Sequence, residues 1–285
     1  MTALLNSDHH IMAKNPFKWL DRTEYPFNSH FYQINGQRLH YIDEGKGETL
    51  LFVHGTPSWS FEYRNVIRYL KADFRCIAVD HIGFGLSDKP EEYDYSTVNH
   101  SKTLERFILD KDLHNLTLAV HDFGGPIGLN FTLRHPDRVD KLVIFNSWLW
   151  SSENDPEFVT YSKALKSPLL PFLYKWLNFS PRFILPRSYG EQKLNRRILK
   201  QYTKPFASRK QRNGALAFAR SLLHDQQWFE GLWSQREAIS KKPALFLWGM
   251  QDPVIPPKNL EKFESAFSNS TTVTFDISGH FPQDE

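Results

Sequence analysis

The sequence predicts an α/β fold with a mostly parallel central sheet and a helical cap inserted into it. Five short apolar runs lack the alternation of a half-exposed strand, as expected for parallel strands that are buried on both faces. The gap from Phe145 to Leu245 is about three times the length that one crossover unit needs, so it holds additional structure. The five runs are Leu50–Val53, Cys76–Val79, Leu116–Val120, Leu142–Phe145 and Leu245–Trp248.

Two further β-like runs precede these five. Phe31–Ile34 and Arg38–Ile42 flank the dipeptide Asn35-Gly36, which is a strong signal for a two-residue hairpin turn. The sheet is therefore expected to begin with an antiparallel pair. Near the end of the chain, Thr271–Ile277 is another β-like run.

The long gap predicts the cap. Within it, Gln192–Gln201 and Gln211–Leu223 have helix-like patterns, and six prolines break the segment into short elements. We therefore divide the chain into a first core part at 1–148, a helical cap at 149–238 and a second core part at 239–285. A ligand cavity is expected between cap and core, because binding sites commonly lie between such units.

Composition excludes several classes of protein. The chain has 285 residues, of which 40% are hydrophobic and 24% charged, as in globular proteins. Thirty-five Lys and Arg against thirty-two Asp and Glu leave a net charge of +3, without a dense basic block. No nucleic-acid partner is therefore expected, and a small apolar substrate fits better.

Cysteine usage and hydropathy bear on the location of the protein. The one cysteine, Cys76, excludes an internal disulfide and lies in an apolar run, so we expect a buried, inert thiol. No apolar stretch approaches the ~18 residues of a membrane span, so no membrane partner is expected. Residues 1–24 lack the pattern of a signal peptide, and a cytoplasmic location is predicted.

The tightest local feature is the turn between the run ending at Val120 and a helix-like segment beginning at Pro126. Its centre is Asp122, and Gly124 and Gly125 supply the tiny residues that a sharp strand-to-helix turn needs. An ionised aspartate can attack a saturated carbon and form an ester. Asp122 is the predicted nucleophile, and capping of the following helix is the alternative. The chain contains no Gly-x-Ser-x-Gly, which argues against a serine hydrolase.

A second turn follows the run Leu50–Val53, in His54-Gly55-Thr56-Pro57. The backbone N–H groups of Thr56 and Phe123 can both point to the carboxyl edge of the sheet and form an oxyanion hole. His54 is expected to hold this loop by hydrogen bonds.

Two loop residues complete a predicted triad. Asp252 follows the run ending at Trp248, and His280 follows the run Thr271–Ile277, so both lie at the same sheet edge as Asp122. The chain order nucleophile, acid, histidine is that of α/β hydrolases. His280 would take a proton from water and Asp252 would orient the imidazole. The alternatives are a turn role for Asp252 and a plain loop role for His280. No metal-binding spacing occurs, and neither a metal nor another cofactor is expected.

From about Tyr25 to Glu285 the sequence resembles the α/β-hydrolase superfamily, and within it the haloalkane dehalogenases and their epoxide-hydrolase relatives. The resemblance implies Asp122 as nucleophile, His280 as base and Asp252 as acid, while Asn146 occupies the other position at which relatives carry an acid. It also implies a closing helix beyond His280. This sequence has five residues after His280. The motifs are His54-Gly55-Thr56-Pro57-Ser58-Trp59-Ser60, Asp80-His81-Ile82-Gly83-Phe84-Gly85-Leu86-Ser87-Asp88-Lys89-Pro90, His121-Asp122-Phe123-Gly124-Gly125-Pro126 and Gly279-His280-Phe281.

Two positions depart from the dehalogenase pattern. Dehalogenases normally carry Trp after the nucleophile, whose indole N–H binds the halide, and here that residue is Phe123. The second donor is normally Asn or Glu, and here it is Thr56. Trp148 and Trp176 are the candidates for the missing donor, and a structural role is the favoured alternative for either residue.

Three functions are therefore compared. The first is hydrolytic dehalogenation of haloalkanes to alcohol and halide through an alkyl-enzyme ester. The second is an epoxide hydrolase, for which tyrosines are available in the cap, or a β-lactone-cleaving relative. The third is a non-catalytic ligand-binding protein, against which the complete triad argues. The candidate tyrosines are Tyr161, Tyr174, Tyr189 and Tyr202.

Overall fold

Residues 17–285, the part of the chain that the computed structural model describes, contain a mixed sheet of eight strands. The spatial order is β1-β2-β4-β3-β5-β6-β7-β8; the β1-β2 and β2-β4 pairs are antiparallel and the other five pairs are parallel. The predicted fold class is confirmed. The strands are β1 (His30–Ile34), β2 (Gln37–Glu44), β3 (Thr49–Val53), β4 (Arg75–Val79), β5 (Leu116–Asp122), β6 (Val139–Ser147), β7 (Ala244–Gly249) and β8 (Ser270–Phe275).

The predicted hairpin joins β1 to β2. Asn35 and Gly36 both adopt positive φ, at 49° and 77°, which the tight turn between twisted antiparallel strands requires. Ile34 pairs with Gln37 directly across the turn.

The sheet is covered on both faces by apolar side chains. Along β3, Leu51 and Val53 belong to one buried cluster, while Leu50 and Phe52 belong to another. This alternation explains why the strand is apolar throughout. Cys76 lies in the second cluster, and burial raises the pKa of its thiol to about 11, as expected for an inert cysteine.

Nine α-helices surround the sheet in residues 17–285, and five of them, α4 to α8, lie between β6 and β7 along the chain. These five fall within residues 149–238, which we call the cap segment. The helices are α1 (Arg64–Leu70), α2 (Thr97–Asp110), α3 (Gly124–Arg134), α4 (Pro156–Leu165), α5 (Leu170–Leu177), α6 (Arg196–Thr203), α7 (Asn213–His224), α8 (Gln226–Ser234) and α9 (Pro257–Ala266).

The predicted helix Gln192–Gln201 began too early. Helix α6 starts at Arg196 because the Asn195 side chain accepts a hydrogen bond from the N–H of Ile198, which caps the helix there. In the second predicted window the α-helix begins at Asn213, two residues later than expected, after a 3₁₀ turn at Lys210–Arg212.

Within residues 17–285, no helix is long and apolar enough to cross a bilayer. The expectation about a leader sequence in residues 1–24 falls mostly on residues 1–16, which lie outside the described part of the chain.

Candidate active site

Asp122 ends β5 at the sharp turn into α3. Its φ of 51° lies in the left-handed region, which is rare for a residue with a side chain and is typical of strained turns at functional sites. A Cβ on Gly124 would overlap the carbonyl oxygen of Val53, and one on Gly125 would overlap the Ser147 hydroxyl. The Ser147 hydroxyl also donates a 2.7 Å hydrogen bond to the Asp122 carbonyl. The two glycines thus let α3 approach the sheet and project the Asp122 carboxylate beyond its edge.

Backbone donors hold the Asp122 carboxylate. The Thr56 N–H donates to Oδ1 at 2.8 Å, and the Phe123 N–H also donates to this side chain. Burial raises the pKa of Asp122, but hydrogen bonding and the positive charge of His280 outweigh this and leave the pKa below the ordinary 3.8. The Asp122 carboxylate is therefore ionised at neutral pH.

His280 lies between two carboxylates. Its Nε2 is 3.5 Å from Asp122 Oδ2, and its Nδ1 is 2.7 Å from Asp252 Oδ2. Burial lowers the pKa of His280, yet the charges of Asp252 and Asp122 and the hydrogen bonds to both raise it to about 10. The structure brings together the three side chains of the predicted triad.

Asp252 is held by four hydrogen bonds in total. Its Oδ1 accepts from the N–H groups of Val254 and Ile255, and its Oδ2 accepts from His280 and from the Asn146 side chain at 2.8 Å. Asn146 also binds both backbone groups of Gly249. Asn146 therefore helps to hold Asp252 in the position in which it is hydrogen-bonded to His280.

A buried pair that the sequence analysis missed lies behind His280. His121 Nε2 donates to the His280 carbonyl at 2.7 Å, and His121 Nδ1 is 3.1 Å from Glu62 Oε1. All side-chain atoms of both residues are inaccessible to solvent. The sequence contains one indication of this pair, since Glu62 is a carboxylate within the aromatic stretch Trp59–Tyr63. Its partner, however, is set by the tertiary fold.

His54 has the predicted structural role. Its Nδ1 donates to the Gly55 carbonyl at 2.6 Å, and its Nε2 accepts from the His81 N–H at 3.0 Å. Burial lowers the pKa of His54, which keeps the imidazole neutral, with Nδ1 as the donor and Nε2 as the acceptor. The imidazole holds the loop that presents the Thr56 N–H.

Two members of the predicted triad, Asp122 and His280, face a cavity of about 150 Å³ between the core and the cap segment. Asp122, Phe123 and His280 line it from the core, and Phe158 and Tyr161 are among the residues lining it from the cap segment. Most of these walls are apolar, so the cavity suits a small apolar molecule.

The four predicted halide-binding residues have different positions. Thr56, Phe123 and Trp148 line the cavity, and the Phe123 ring packs edge-on against Trp148 with centroids 4.8 Å apart. The Trp176 prediction is wrong. Its side chain is 57% exposed on α5, away from the cavity lining, and its ring contacts Arg209 instead.

The four candidate tyrosines also separate into two pairs. Tyr161 and Tyr174 line the cavity. Tyr189 and Tyr202 do not, because both hydroxyls donate to the buried Asp284 carboxylate. Only the first pair can contact a substrate in this cavity.

The profile of the α/β-hydrolase fold family matches residues 48–285. The chain belongs to this family. The α/β hydrolase is 34% identical over 265 residues to the cis-3-alkyl-4-alkyloxetan-2-one decarboxylase of Shewanella oneidensis, covering 90% of this chain and 83% of that one. It is 29% identical to haloalkane dehalogenase 2 of Mycobacterium tuberculosis, covering 92% and 91%.

Solved structures agree with this assignment. The crystal structure of the haloalkane dehalogenase DatA from Agrobacterium tumefaciens has a TM-score of 0.80 and 27% identity, covering 90% of this chain and 91% of that one. The protein is a haloalkane dehalogenase-like α/β hydrolase. Within residues 17–285, no group of three or more His, Cys, Asp or Glu side chains has the geometry to hold a metal ion.

Proposed function

We propose that this α/β hydrolase cleaves the carbon–halogen bond of small haloalkanes, giving alcohol and halide through an ester on Asp122. The observation that carries the proposal is the arrangement of Asp122, His280 and Asp252 against a small apolar cavity. A carboxylate nucleophile needs no base for its first step, which leaves His280 for the second.

In the first step, the Asp122 carboxylate attacks the carbon that bears the halogen. Backbone donation from Thr56 holds Oδ1, so Oδ2 is the oxygen available for attack. A C–O bond forms as the carbon–halogen bond breaks, and the halide leaves with the bonding electrons. The charge of Asp122 is lost in the resulting ester.

In the second step, His280 Nε2 takes a proton from water, and the resulting hydroxide attacks the carboxyl carbon of Asp122. The N–H groups of Thr56 and Phe123 stabilise the oxyanion, as two such donors do in acyl transfer. The alcohol leaves with the proton from His280, and Asp122 is left as the carboxylic acid. This acid releases its proton to water, which restores the carboxylate. Loss of the Asp122 charge in the ester lowers the pKa of His280 at the point where a base is needed.

Two groups beside Asp122 are available to the departing halide. The Thr56 hydroxyl is buried and has no hydrogen-bond partner among the described residues. Trp148 lines the cavity, and its indole N–H likewise has no partner within residues 17–285. Either donor would substitute for the side-chain indole N–H that a tryptophan carries and Phe123 lacks.

Cavity volume supports a small substrate. A cavity of about 150 Å³ is of the size that accepts benzene in an engineered protein core. A haloalkane of a few carbons, such as 1-bromobutane, matches this volume. We also propose that residues 149–238 act as a cap that excludes bulk water from the ester. The cytoplasmic location stays a prediction from the sequence.

A second candidate is the opening of a strained oxygen ring, either an epoxide or a β-lactone. Tyr161 and Tyr174 both line the cavity, and a phenol can give its proton to the ring oxygen as the ring opens. Burial raises the pKa of both tyrosines, which keeps the phenols protonated. The relationship to the oxetanone decarboxylase supports the β-lactone form.

The test uses the variant His280→Phe, which retains the nucleophile but lacks the base. It is incubated separately with 1-bromobutane, 1,2-epoxybutane and β-butyrolactone, and intact mass is measured. With bromobutane we expect a butyl adduct and one equivalent of bromide. The double variant Asp122→Asn/His280→Phe is the matched control and should stay unmodified.

An epoxide or lactone adduct in the absence of a butyl adduct would favour the second candidate. No adduct with any substrate that the unmodified protein turns over would contradict the ester mechanism. Equal adducts in the control variant would remove Asp122 from the nucleophile role.

A further inference from the structure

The charge of the protein is concentrated in one part of the cap segment. Residues 158–212 contain thirteen Lys and Arg and a single acid, Glu191. The whole chain has thirty-five basic and thirty-two acidic residues. The residues outside 158–212 therefore include twenty-two basic and thirty-one acidic ones. A chain that is nearly neutral overall thus has a strongly basic cap segment and an acidic core.

Most of this positive charge is not neutralised within the molecule. Of the thirteen basic side chains, Arg197 and Lys210 are the two with a carboxylate partner among the described residues. Others, including Lys166, Arg182 and Arg187, are exposed and lack such a partner within 17–285. This surface is therefore available to an external anion.

Beside these charges, α5 exposes an apolar face. Leu169, Phe172, Trp176 and Leu177 are 63%, 51%, 57% and 41% exposed. Their spacing places them on one side of the helix, and we call them the α5 face. The rings of Phe172 and Trp176 stack with centroids 6.1 Å apart.

Arginines border the α5 face directly. The Arg209 guanidinium lies 3.9 Å from the centroid of the Trp176 ring, and Arg212 donates to the carbonyls of Lys175 and Trp176. Burial and the neighbouring charges of Arg182 and Arg209 lower the pKa of Arg212, in keeping with guanidinium groups lying close together. The apolar face and the basic groups therefore form one continuous surface.

We propose that this surface docks on an anionic lipid bilayer. Aromatic and leucine side chains of the α5 face would enter the headgroup region, and the bordering Lys and Arg would contact lipid phosphates. The proposal revises the expectation of no membrane partner, which rested on the lack of an apolar stretch long enough to span a bilayer. It is independent of the reaction proposed above.

Two other occupants fit the surface less well. A second copy of the chain would bring two strongly basic cap segments together, and their like charges would repel. A nucleic acid would satisfy the arginines, but its phosphates would leave the aliphatic part of the α5 face unused.

The test is co-sedimentation of the full chain with vesicles. One set contains equal parts phosphatidylglycerol and phosphatidylcholine, and the other contains phosphatidylcholine alone. We expect binding to the first set, weakening as salt rises, and little binding to the second. Phe172→Ser should weaken binding roughly tenfold by removing apolar area. Arg182→Glu should also weaken it roughly tenfold or more, because it changes the charge by two units.

Matched controls come from the core. Tyr69→Ser removes an aromatic side chain that is 82% exposed on α1, and Lys241→Glu reverses an exposed charge. Both should bind vesicles as the unmodified chain does. Circular dichroism checks folding, and Leu169→Ser replaces Phe172→Ser if the latter does not fold.

Three outcomes would overturn the proposal. The first is the absence of sedimentation with anionic vesicles, or equal binding by all variants. The second is a dimer on size-exclusion chromatography that Phe172→Ser dissociates. The third is tighter binding to a single-stranded oligonucleotide, sensitive to Arg182→Glu and insensitive to Phe172→Ser.

Discussion

Phe123 follows Asp122, the proposed nucleophile, and its backbone and side chain act differently there. Its N–H donates to Asp122, while its ring packs against Trp148 and against Phe218, with centroids 4.8 Å and 4.7 Å away. The ring thus shapes the apolar wall of the cavity but offers no hydrogen bond to an anion.

The variant Phe123→Trp should raise bromide release from 1-bromobutane by about tenfold, because an indole N–H stabilises the halide as its charge develops. The larger ring should lower the free energy of unfolding by ~1–3 kcal/mol, since Phe123 is already packed against two aromatic rings. Steady-state bromide release is measured beside urea unfolding. Unchanged release from a folded variant would indicate that Thr56 or Trp148 already binds the halide.

A pH dependence follows from the pKa values of Asp122 and His280. The pKa of Asp122 lies below 3.8, so attack on the haloalkane persists at mildly acidic pH. Both carboxylates raise the pKa of His280 to about 10 before the ester forms. In the ester only Asp252 still raises this pKa, and the neutral imidazole needed for the second step becomes scarcer as pH falls. Turnover should rise with pH through the neutral range, and the steady-state fraction of ester should rise as pH falls.

Acid quenching at steady state followed by intact mass measures that ester fraction. An ester that accumulates instead at high pH would show that His280 is not the base of the second step.

Local sequence was sufficient to predict that Asp122, His280 and Asp252 lie together, because each lies next to a strand end or a glycine turn with a characteristic pattern. The roles of Glu62 and His121 could not be predicted, since they depend on a contact between residues 59 positions apart in the chain. Trp176 was wrongly predicted because the exposed side of a cap helix is set by tertiary packing.

At the level of elements, the close contact between α3 and β3 positions Asp122. Gly124 begins α3 where a Cβ would overlap the Val53 carbonyl oxygen, which is part of the backbone and has little room to move. The strands could be predicted because their buried apolar runs are continuous. Helix starts such as Arg196 were less accurate, because a capping side chain decides them.

We expect Gly124→Ala to lower the free energy of unfolding by ~1–3 kcal/mol. Turnover should fall by about a hundredfold, because a shift of the helix start moves the Asp122 carboxylate out of the position needed for attack. Gly231→Ala is the matched control, because Gly231 lies within α8 and a Cβ there meets no atom within 4 Å.

The control should gain ~0.5–1 kcal/mol in stability from the higher helix propensity of alanine, with turnover unchanged. Urea unfolding and steady-state kinetics are run on both variants. Equal behaviour of the two would mean that the close approach of α3 to β3 is not needed for the position of Asp122.

Across the whole molecule, a buried ionic group joins three distant segments. Arg64, at the start of α1, pairs with Asp284 at 2.6 Å near the end of the chain, and Asp284 also accepts from Tyr189 and Tyr202 of the cap segment. The Arg64 and Asp284 side chains are almost inaccessible to solvent. The interaction could not be predicted from sequence, since its members are scattered along the chain.

The variant Arg64→Met should lower the free energy of unfolding by ~3–5 kcal/mol, because it leaves the Asp284 charge buried without its cation. Arg38→Met is the comparison, since the Arg38–Asp88 pair has a 52% exposed guanidinium side chain and should cost at most ~1 kcal/mol. Urea titrations of both variants give the two values. A loss of similar size in both would contradict a special role for the buried pair.

The backbone of His280 is attached to the cap segment as well as to the core. Its N–H donates to the Ser188 carbonyl at 2.7 Å, while its own carbonyl accepts from His121. A substrate too large for the cavity would have to displace the cap segment. Because Ser188 is hydrogen-bonded to the backbone of His280, this movement would also displace His280. An oversized substrate would therefore have a lower kcat as well as a higher KM. The same movement of the cap segment that admits the substrate would also misalign the general base.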